Sequence, residues 1–372
     1  MPQLHLEKLQ LTHFKNYEEG RFEFSEQLNC IVGENGSGKT NLLDAIYWLG
    51  LTKSAFQLQD AFSIQHGADF MVVNGVFKKG KKYSQITCSL QRGQRKTVLS
   101  DKKAYERISD HIGLFPVVLV SPNDTDLVRD GSEERRRFFD GVLSQLDQSY
   151  LQNLLQYNKV LAQRNSVLKI FADRNFVDAD LLDTYDEPLI GLANLIFDRR
   201  QGFMATFESL VLHYYNFLGE GRELVSIKYE SEVENVDFRE HFRSHRSRDM
   251  QTQRTLLGIH KDDFVFEMDG VALRKFGSQG QQKSFALALK LAQFELIAIE
   301  REMKPLLLLD DIFDKLDDRR IQKLLELIEN DSFGQVFLTD ARPERTEDLL
   351  KNTKSEMKFF RMNEPIGTAT AQ

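Results

Sequence analysis

Residues Leu28–Thr40 read LNCIVGENGSGKT, and Asn41–Leu51 continue as NLLDAIYWLGL. Leu28 to Val32 form a short apolar run of the kind that makes a buried strand. Gly33 to Thr40 fit G-x-x-x-x-G-K-[ST]. Glycines at 33, 36 and 38 let the backbone curl until successive N–H groups point at phosphate oxygens. Lys39 is placed to reach β and γ phosphates, and the Thr40 hydroxyl to ligate magnesium. Behind the loop, Leu42, Leu43, Ile46 and Leu49 share one face of a helix that Gly50 is expected to end, and the positive end of that helix meets the same anion. Gly33, Glu34, Asn35, Gly36, Ser37, Gly38, Lys39 and Thr40 are therefore the candidate nucleotide-binding residues, with ATP and Mg2+ as the expected ligands.

Two distant stretches bear on the same chemistry. PLLLLDD (Pro305–Asp311) reads as a buried strand ending in two carboxylates, and paired acids at the end of an apolar strand need a partner. Beside a phosphate loop that partner is magnesium: Asp310 would hold it through water, and Asp311 would polarise an attacking water. Lys39, Asp310 and Asp311 are the catalytic candidates, Thr40 and Asp310 the metal candidates. GSQGQQKS (Gly277–Ser284) precedes a long helix expected from Gln281, and small residues and amides at a helix start make a second anion seat. One chain already has a helix aimed at the phosphates. Ser278, Gln279, Gly280 and Gln281 therefore point to a composite site shared between two chains.

Around these stretches the patterning changes twice. Residues 4–32 read as strands, and FMVVNGVF, YSQITCSL and KTVLS alternate with period two around the turns KKGKK and QRGQ, as in a small antiparallel sheet. From about Gly131 helical spacing takes over, with a stripe from Leu143 to Leu161 that reads as core, as does Trp48. ELVSIKYE and FVFEM read as strands, and RRIQKLLELIE and QVFLT as a closing helix and strand. Strands alternating with helices predict an α/β fold with parallel pairing. The tail after Asn363 is expected to fray.

The chain has 372 residues, 41% hydrophobic and 28% charged, which excludes disorder as the main state. Cys30 and Cys88 are its two cysteines and form no CxxC, which excludes a disulfide scaffold and a zinc finger and fits a reducing cytoplasm. No apolar run reaches the roughly 20 residues of a membrane span, and no export signal is read at the start. His260 has no Cys or His neighbour and reads as structural rather than metal-binding. The formal net charge is −7, yet residues 78–107 carry ten bases and two acids. Lys78, Lys79, Lys81, Lys82, Arg92, Arg95 and Lys96 are the candidate DNA-phosphate contacts, without base reading or stacking. Arg135–Arg137 and Arg243–Arg248 rank second, because such clusters often pair with nearby acids.

The three nucleotide stretches resemble the ATP-binding-cassette heads of chromosome-maintenance proteins. SQGQ (Ser278–Gln281) stands where that superfamily has its signature, and DKLD (Asp314–Asp317) where it has its D-loop. FKNY, NGSGKTNLLDAI, SPND, RRRFFD, LAQRN, LGIHKDD, SQGQQKSFALALKLAQ and LLLLDDIFDKLD resemble, in order, the RecF family of bacterial recombination-repair ATPases. The resemblance implies an ABC-type P-loop ATPase head, a mixed sheet with an antiparallel β subdomain, from residues 1–125 and 255–372. It implies a mainly α-helical second lobe from 126–254, with segment 276–284 close to that lobe. It further implies that Ser278, Gly280 and Gln281 meet ATP held by a second subunit and that Asp317 lies at the dimer seam. Asn123 would stand near a Q-loop glutamine, and Thr339 or Asp340 in the place of a switch histidine. Asp311, where cassette ATPases usually have Glu, implies slow hydrolysis. The implied task is ATP-dependent binding of single-stranded, double-stranded or gapped DNA by a homodimer. With RecR and RecO it would support recombinase loading and the SOS response. A transporter subunit is disfavoured because Lys39 and Ser278 lie 239 positions apart. A long-armed chromosome protein would need sustained heptads. A non-hydrolysing DNA scaffold and a nuclease complete the alternatives.

Overall fold

The computed structural model describes residues 3–174, 178–219, 223–234, 237–314, 316–330, 332–362 and 369–371. The chain opens with strands β1 (Leu4–Phe14), β2 (Tyr17–Glu23) and β3 (Leu28–Gly33), then helix α1 (Lys39–Leu51). Strands β4 (Phe70–Lys79), β5 (Lys82–Gln91), β6 (Thr97–Ser100), β7 (Lys103–Ala104) and β8 (Val117–Val120) follow. The helical region holds α2 (Asp126–Arg129), α3 (Ser132–Leu146), α4 (Gln148–Arg174) and α5 (Ala179–Leu218). Next come β9 (Val225–Glu230), α6 (Phe238–Ser244), α7 (Arg246–Thr252), β10 (Asp263–Met268), β11 (Val271–Ala272), α8 (Leu273–Phe276) and α9 (Gln279–Arg301). The chain closes with β12 (Leu306–Leu309), α10 (Asp318–Glu329), β13 (Val336–Asp340), α11 (Pro343–Leu350), β14 (Met357–Met362) and β15 (Ala369–Ala371).

These elements form two units: residues 1–125, 214–221 and 283–372, and residues 126–213 and 222–282. The first holds two six-stranded sheets. One is antiparallel, in the order β2-β1-β4-β5-β6-β7; the other runs β15-β14-β3-β13-β12-β8 with parallel pairing from β14 to β8. The expectation of fraying after Asn363 falls on residues 363–368, outside the described residues, while β15 pairs antiparallel with β14.

Helix α1 is buried on nearly every side because both sheets supply its neighbours. Leu42, Ile46, Trp48 and Leu49 share one core with Leu6, Val73 and Phe77 of the antiparallel sheet and Ile31, Leu308 and Phe337 of the parallel one. Each large side chain buried this completely contributes on the order of 2 kcal/mol of hydrophobic stabilisation. Gly50 does not end the helix, which runs to Leu51 with Thr52 left-handed at its C-cap. A Cβ at Gly50 would lie 2.7 Å from Val117 Cγ1 and 2.8 Å from the Phe115 carbonyl oxygen, so glycine is set there by the approach of the segment into β8.

The second unit is mainly helical, with a three-stranded antiparallel sheet in the order β11-β10-β9. Phe139 of α3 stacks on Phe264 of β10 at 3.9 Å between ring centres, and Phe207 and Tyr229 join the same aromatic core. That sheet corrects the expected domain boundary. Residues 255–282 belong to the helical unit rather than the head, because β10 pairs along its length with β9. Residues 214–221 belong to the head.

Candidate nucleotide site

In a parallel sheet the strand C-termini share one edge, and ligands gather there. Here β3 ends in Gly33, β12 leads into Asp310 and Asp311, and β13 ends in Thr339 and Asp340. Residues far apart in sequence thus arrive together: the loop after β3 and the acids after β12 belong to one unit.

The loop has the backbone its composition requires. Gly36 and Gly38 take φ of +87° and +98°, the left-handed region that favours glycine. Gly38 is also wedged, since a Cβ there would sit 2.5 Å from Asn16 Nδ2. Lys39 is nearly buried, and its ammonium donates to the carbonyl oxygens of Gly33 and Glu34, both at 2.8 Å. Burial lowers its pKa, and Asp311, Asp310 and Asp340 act in the opposite sense. The Ser37 hydroxyl is buried without a hydrogen-bond partner.

Thr40 donates its hydroxyl to Asp310, 2.9 Å to Oδ1 and 3.2 Å to Oδ2. Thr339 donates to the same Oδ1 at 2.8 Å and accepts the backbone N–H of Asp311 at 2.9 Å. Burial raises the pKa of Asp310, hydrogen bonds from Thr339 and Thr40 lower it, and the charge of Asp311 raises it again. Three carboxylates, Asp310, Asp311 and Asp340, thus act on one ammonium. Of the two switch candidates, Thr339 touches the acids. Asp340 instead accepts from the Arg342 N–H at 3.0 Å and the Thr346 hydroxyl at 2.7 Å, at the start of α11.

Sequence reasoning passed over residues 15–17 and 41 as site residues. Lys15 pairs with Asp44 of α1 at 2.6 Å, Asn41 donates to Asn16 Oδ1 at 2.7 Å, and the Tyr17 hydroxyl donates to the Gly38 carbonyl at 2.9 Å. Beside them opens a groove of about 590 Å³ lined by Lys15, Asn16, Asn41, Gln57, Phe62 and His66, among others. The signal was present: FKNY is one of the stretches carrying the family resemblance, although no chemical motif marks it. Asn123, expected near a Q-loop position, is exposed, while its neighbour Asp124 accepts the Ser121 N–H at 2.7 Å and pairs with Lys290 at 3.1 Å.

The segment Ser278–Gln281 is a capping box. The Ser278 hydroxyl accepts the Gln281 N–H at 3.2 Å, and the Gln281 side chain accepts the Ser278 N–H at 2.7 Å. Helix α9 therefore starts at Gln279, two residues before the sequence reading placed it. Ser278 and Gln279 are exposed in the second unit, Gly280 is half-buried, and Asp317, exposed in the first, caps α10.

The basic candidates divide. Lys96 is tied to the Thr52 carbonyl at 2.6 Å and Asp60 at 2.8 Å, and lies over the Trp48 ring. Lys78 pairs with Glu26 at 2.6 Å, and Arg92 donates to the Ala68 carbonyl at 2.8 Å. Lys79, Lys81, Lys82 and Arg95 are exposed on hairpin turns. Arg135 is held by Asp263 at 2.8 Å, and Arg246 by Asp183 and Asp186, so these two cluster members serve the fold of the second unit. His260 does the same: its Nε2–H donates to the Thr255 carbonyl at 3.0 Å, Nδ1 accepts from the Tyr157 hydroxyl at 2.8 Å, and burial pushes its pKa down to about 4.

Among the described residues no helix is long and apolar enough to cross a membrane. The chain is 45% identical over 359 residues to the DNA replication and repair protein RecF of Flavobacterium johnsoniae, covering 96% of this chain and 100% of the relative. It is 43% identical to the protein of the same name from Cytophaga hutchinsonii, with coverage of 96% and 94%. A solved structure of the recombination mediator protein RecF with ATP, in the RecFOR pathway, superposes with a TM-score of 0.88 at 26% identity over 100% of both chains. An Smc head domain from Pyrococcus furiosus shares the fold at a TM-score of 0.57 and 17% identity, covering 99% of this chain and 96% of that one. The family model for the RecF/RecN/SMC N-terminal domain matches residues 5–362. With relatives this similar along nearly their whole length, the chain belongs to the RecF family.

Proposed function

We propose that this chain is an ATP-dependent DNA-binding protein of recombinational repair and replication, using slow ATP hydrolysis as a switch. The observation that carries the reading is the convergence of Lys39, Thr40, Asp310, Asp311 and Thr339 at one edge of the parallel sheet. The loop fits a polyphosphate: its glycine backbone is preset, and the buried Ser37 hydroxyl is a donor that a phosphate oxygen would satisfy. The groove beside Asn16 and Asn41 is wide enough for the nucleoside. Mg2+ fits the donor set as well, because Thr40 and Asp310 present hard oxygens. When bound, the ion would supply charge neutralisation at the phosphates. The chain's own part is to hold the phosphates on backbone N–H groups and Lys39, to fix Asp310 through two hydroxyls, and to present Asp311 as the acceptor of a proton from water.

Ser278, Gly280 and Gln281 would complete the site of a second copy, with Asp317 at the seam, so ATP would drive dimerisation. The relatives' place in the RecFOR pathway supports RecO and RecR as partners. Lys79 and Lys82 face each other across the β4–β5 ladder, an arrangement that costs stability unless an anion lies between them. Together with Lys81 they are the DNA-phosphate contacts we favour.

Lys39→Met is expected to abolish ATP-dependent binding to gapped duplex, measured by fluorescence anisotropy; retention of that binding refutes the proposal. Replacing Lys79, Lys81 and Lys82 by Gln is expected to weaken binding and reduce the slope of log affinity against log salt by about 0.9 per lost phosphate contact. Mixing the Lys39→Met chain with a Ser278→Arg chain is expected to restore one working site in the mixed dimer. ATP turnover no higher than that of either variant alone contradicts the shared site.

A further inference from the structure

We propose that Thr339 is a positioning residue, whose single hydroxyl locks Asp310 and the turn at Asp311 into the arrangement that receives the cation of a cation–nucleotide complex. The inference rests on the reading of Asp310 and Asp311 as the phosphate-side acids and adds the group that sets them.

Thr339 is fully buried in β13, between β12 and β3. Its hydroxyl has one proton, given to Asp310 Oδ1 at 2.8 Å, and a lone pair that receives the N–H of Asp311 at 2.9 Å. One side chain therefore spans two consecutive residues of another strand's end. The second contact matters because Asp311 has φ of +44°, which L side chains rarely adopt and which persists only where surrounding bonds impose it. The first matters because Asp310 Oδ1 also receives the Thr40 hydroxyl at 2.9 Å, so two hydroxyls from two elements fix one carboxylate. The β-branch of threonine restricts χ1 and holds the hydroxyl in place. Asp340, next along the strand, serves α11 instead and cannot substitute.

The experiment compares Thr339→Val, which keeps the shape and removes the hydroxyl, with Thr339→Ser, which keeps the hydroxyl. Thr346→Ala serves as a control that loosens the neighbouring contact of Asp340. A fluorescent ATP analogue is titrated with and without Mg2+, and thermal unfolding is followed in parallel. Thr339→Val is expected to bind the analogue without Mg2+ within about twofold of the parent, while the Mg2+ concentration for half-maximal tight binding rises by about tenfold or more. Thr339→Ser is expected to stay within about threefold of the parent. Thr346→Ala is expected to lower the unfolding temperature and leave the Mg2+ midpoint unmoved. An unmoved midpoint in Thr339→Val, or equal shifts in the Ser variant or in Thr346→Ala, overturns the proposal. Should Thr339→Val not fold, Thr339→Cys against Thr339→Ser makes the same comparison. A parent whose analogue binding ignores Mg2+ overturns the underlying assignment of the acids and the proposal with it. Analogue binding that survives Lys39→Met breaks only the reading of the phosphate loop.

Discussion

The head and the helical unit each bury a polar cluster that includes residues of the sequence motifs, and the two clusters are made differently. In the helical unit, Arg200 donates to Asp262 at 2.6 Å and Asp140 at 2.8 Å, and Arg164 to Asp186 at 2.6 Å and Asp249 at 2.7 Å. There each guanidinium is met by two carboxylates of its own unit, although Arg164 Nη2 and Asp262 Oδ1 are buried without a hydrogen-bond partner. In the head, three carboxylates act on one ammonium, and the hydroxyls of Thr40, Thr339 and Thr346 bond to Asp310 and Asp340. That cluster lies where the parallel strands β3, β12 and β13 end. The difference is between a polar core closed by guanidinium–carboxylate pairs and one closed by hydroxyls around acids, the one we propose to hold the ligand.

The comparison can be broken first at Arg200. Arg200→Met leaves the buried Asp262 and the half-buried Asp140 without their cation and is expected to cost about 3–5 kcal/mol. Denaturant unfolding monitored in the helical unit measures it; a loss below about 1 kcal/mol would mean that the network does not hold the fold.

His260 sharpens the comparison through pH. Its pKa is depressed from about 6.5 in the unfolded chain to about 4 in the fold, so protonation favours unfolding. Its stabilising contribution is complete above about pH 6.5 and declines as pH falls toward 4, by about 3 kcal/mol in all. The stability difference between the parent and His260→Gln is therefore expected to shrink across that window. A difference independent of pH between 7 and 4 would show that the imidazole is not held neutral.

The smallest effect belongs to Arg137, exposed and paired with Glu133 and Glu134 within its own helix. Arg137→Ala is expected to change stability by no more than about 0.5 kcal/mol. A loss comparable to that at Arg200 would erase the distinction between surface and buried pairs.

Particular residues show how far the sequence could be read. The phosphate loop, its buried strand and its helix were legible because each is a local pattern: glycine spacing, an apolar run, helical periodicity. The acids after β12 were legible because carboxylates ending an apolar strand call for a partner. That Lys96 and Lys78 are paired is not legible in the sequence, because charge content does not reveal that Asp60 and Glu26 lie across the fold. Gly50 was misjudged as a helix end for a related reason: the approach that requires it comes from residues 115 and 117. The return to the head was placed too early because FVFEM reads as a strand whichever sheet it joins, and its pairing with β9 is nonlocal.

By itself, then, the amino-acid order set the conformations of short segments and the chemical types gathered in the motifs, since backbone strain, periodicity and capping act between residues close in sequence. Tertiary structure alone decided which charges are closed off and which remain for a ligand, because that depends on partners tens to hundreds of positions away and on burial. Thr339 is the plainest case. In the sequence it shares the switch position with Asp340 through the family resemblance alone, and only the pairing of β13 with β12 places its hydroxyl between two acids.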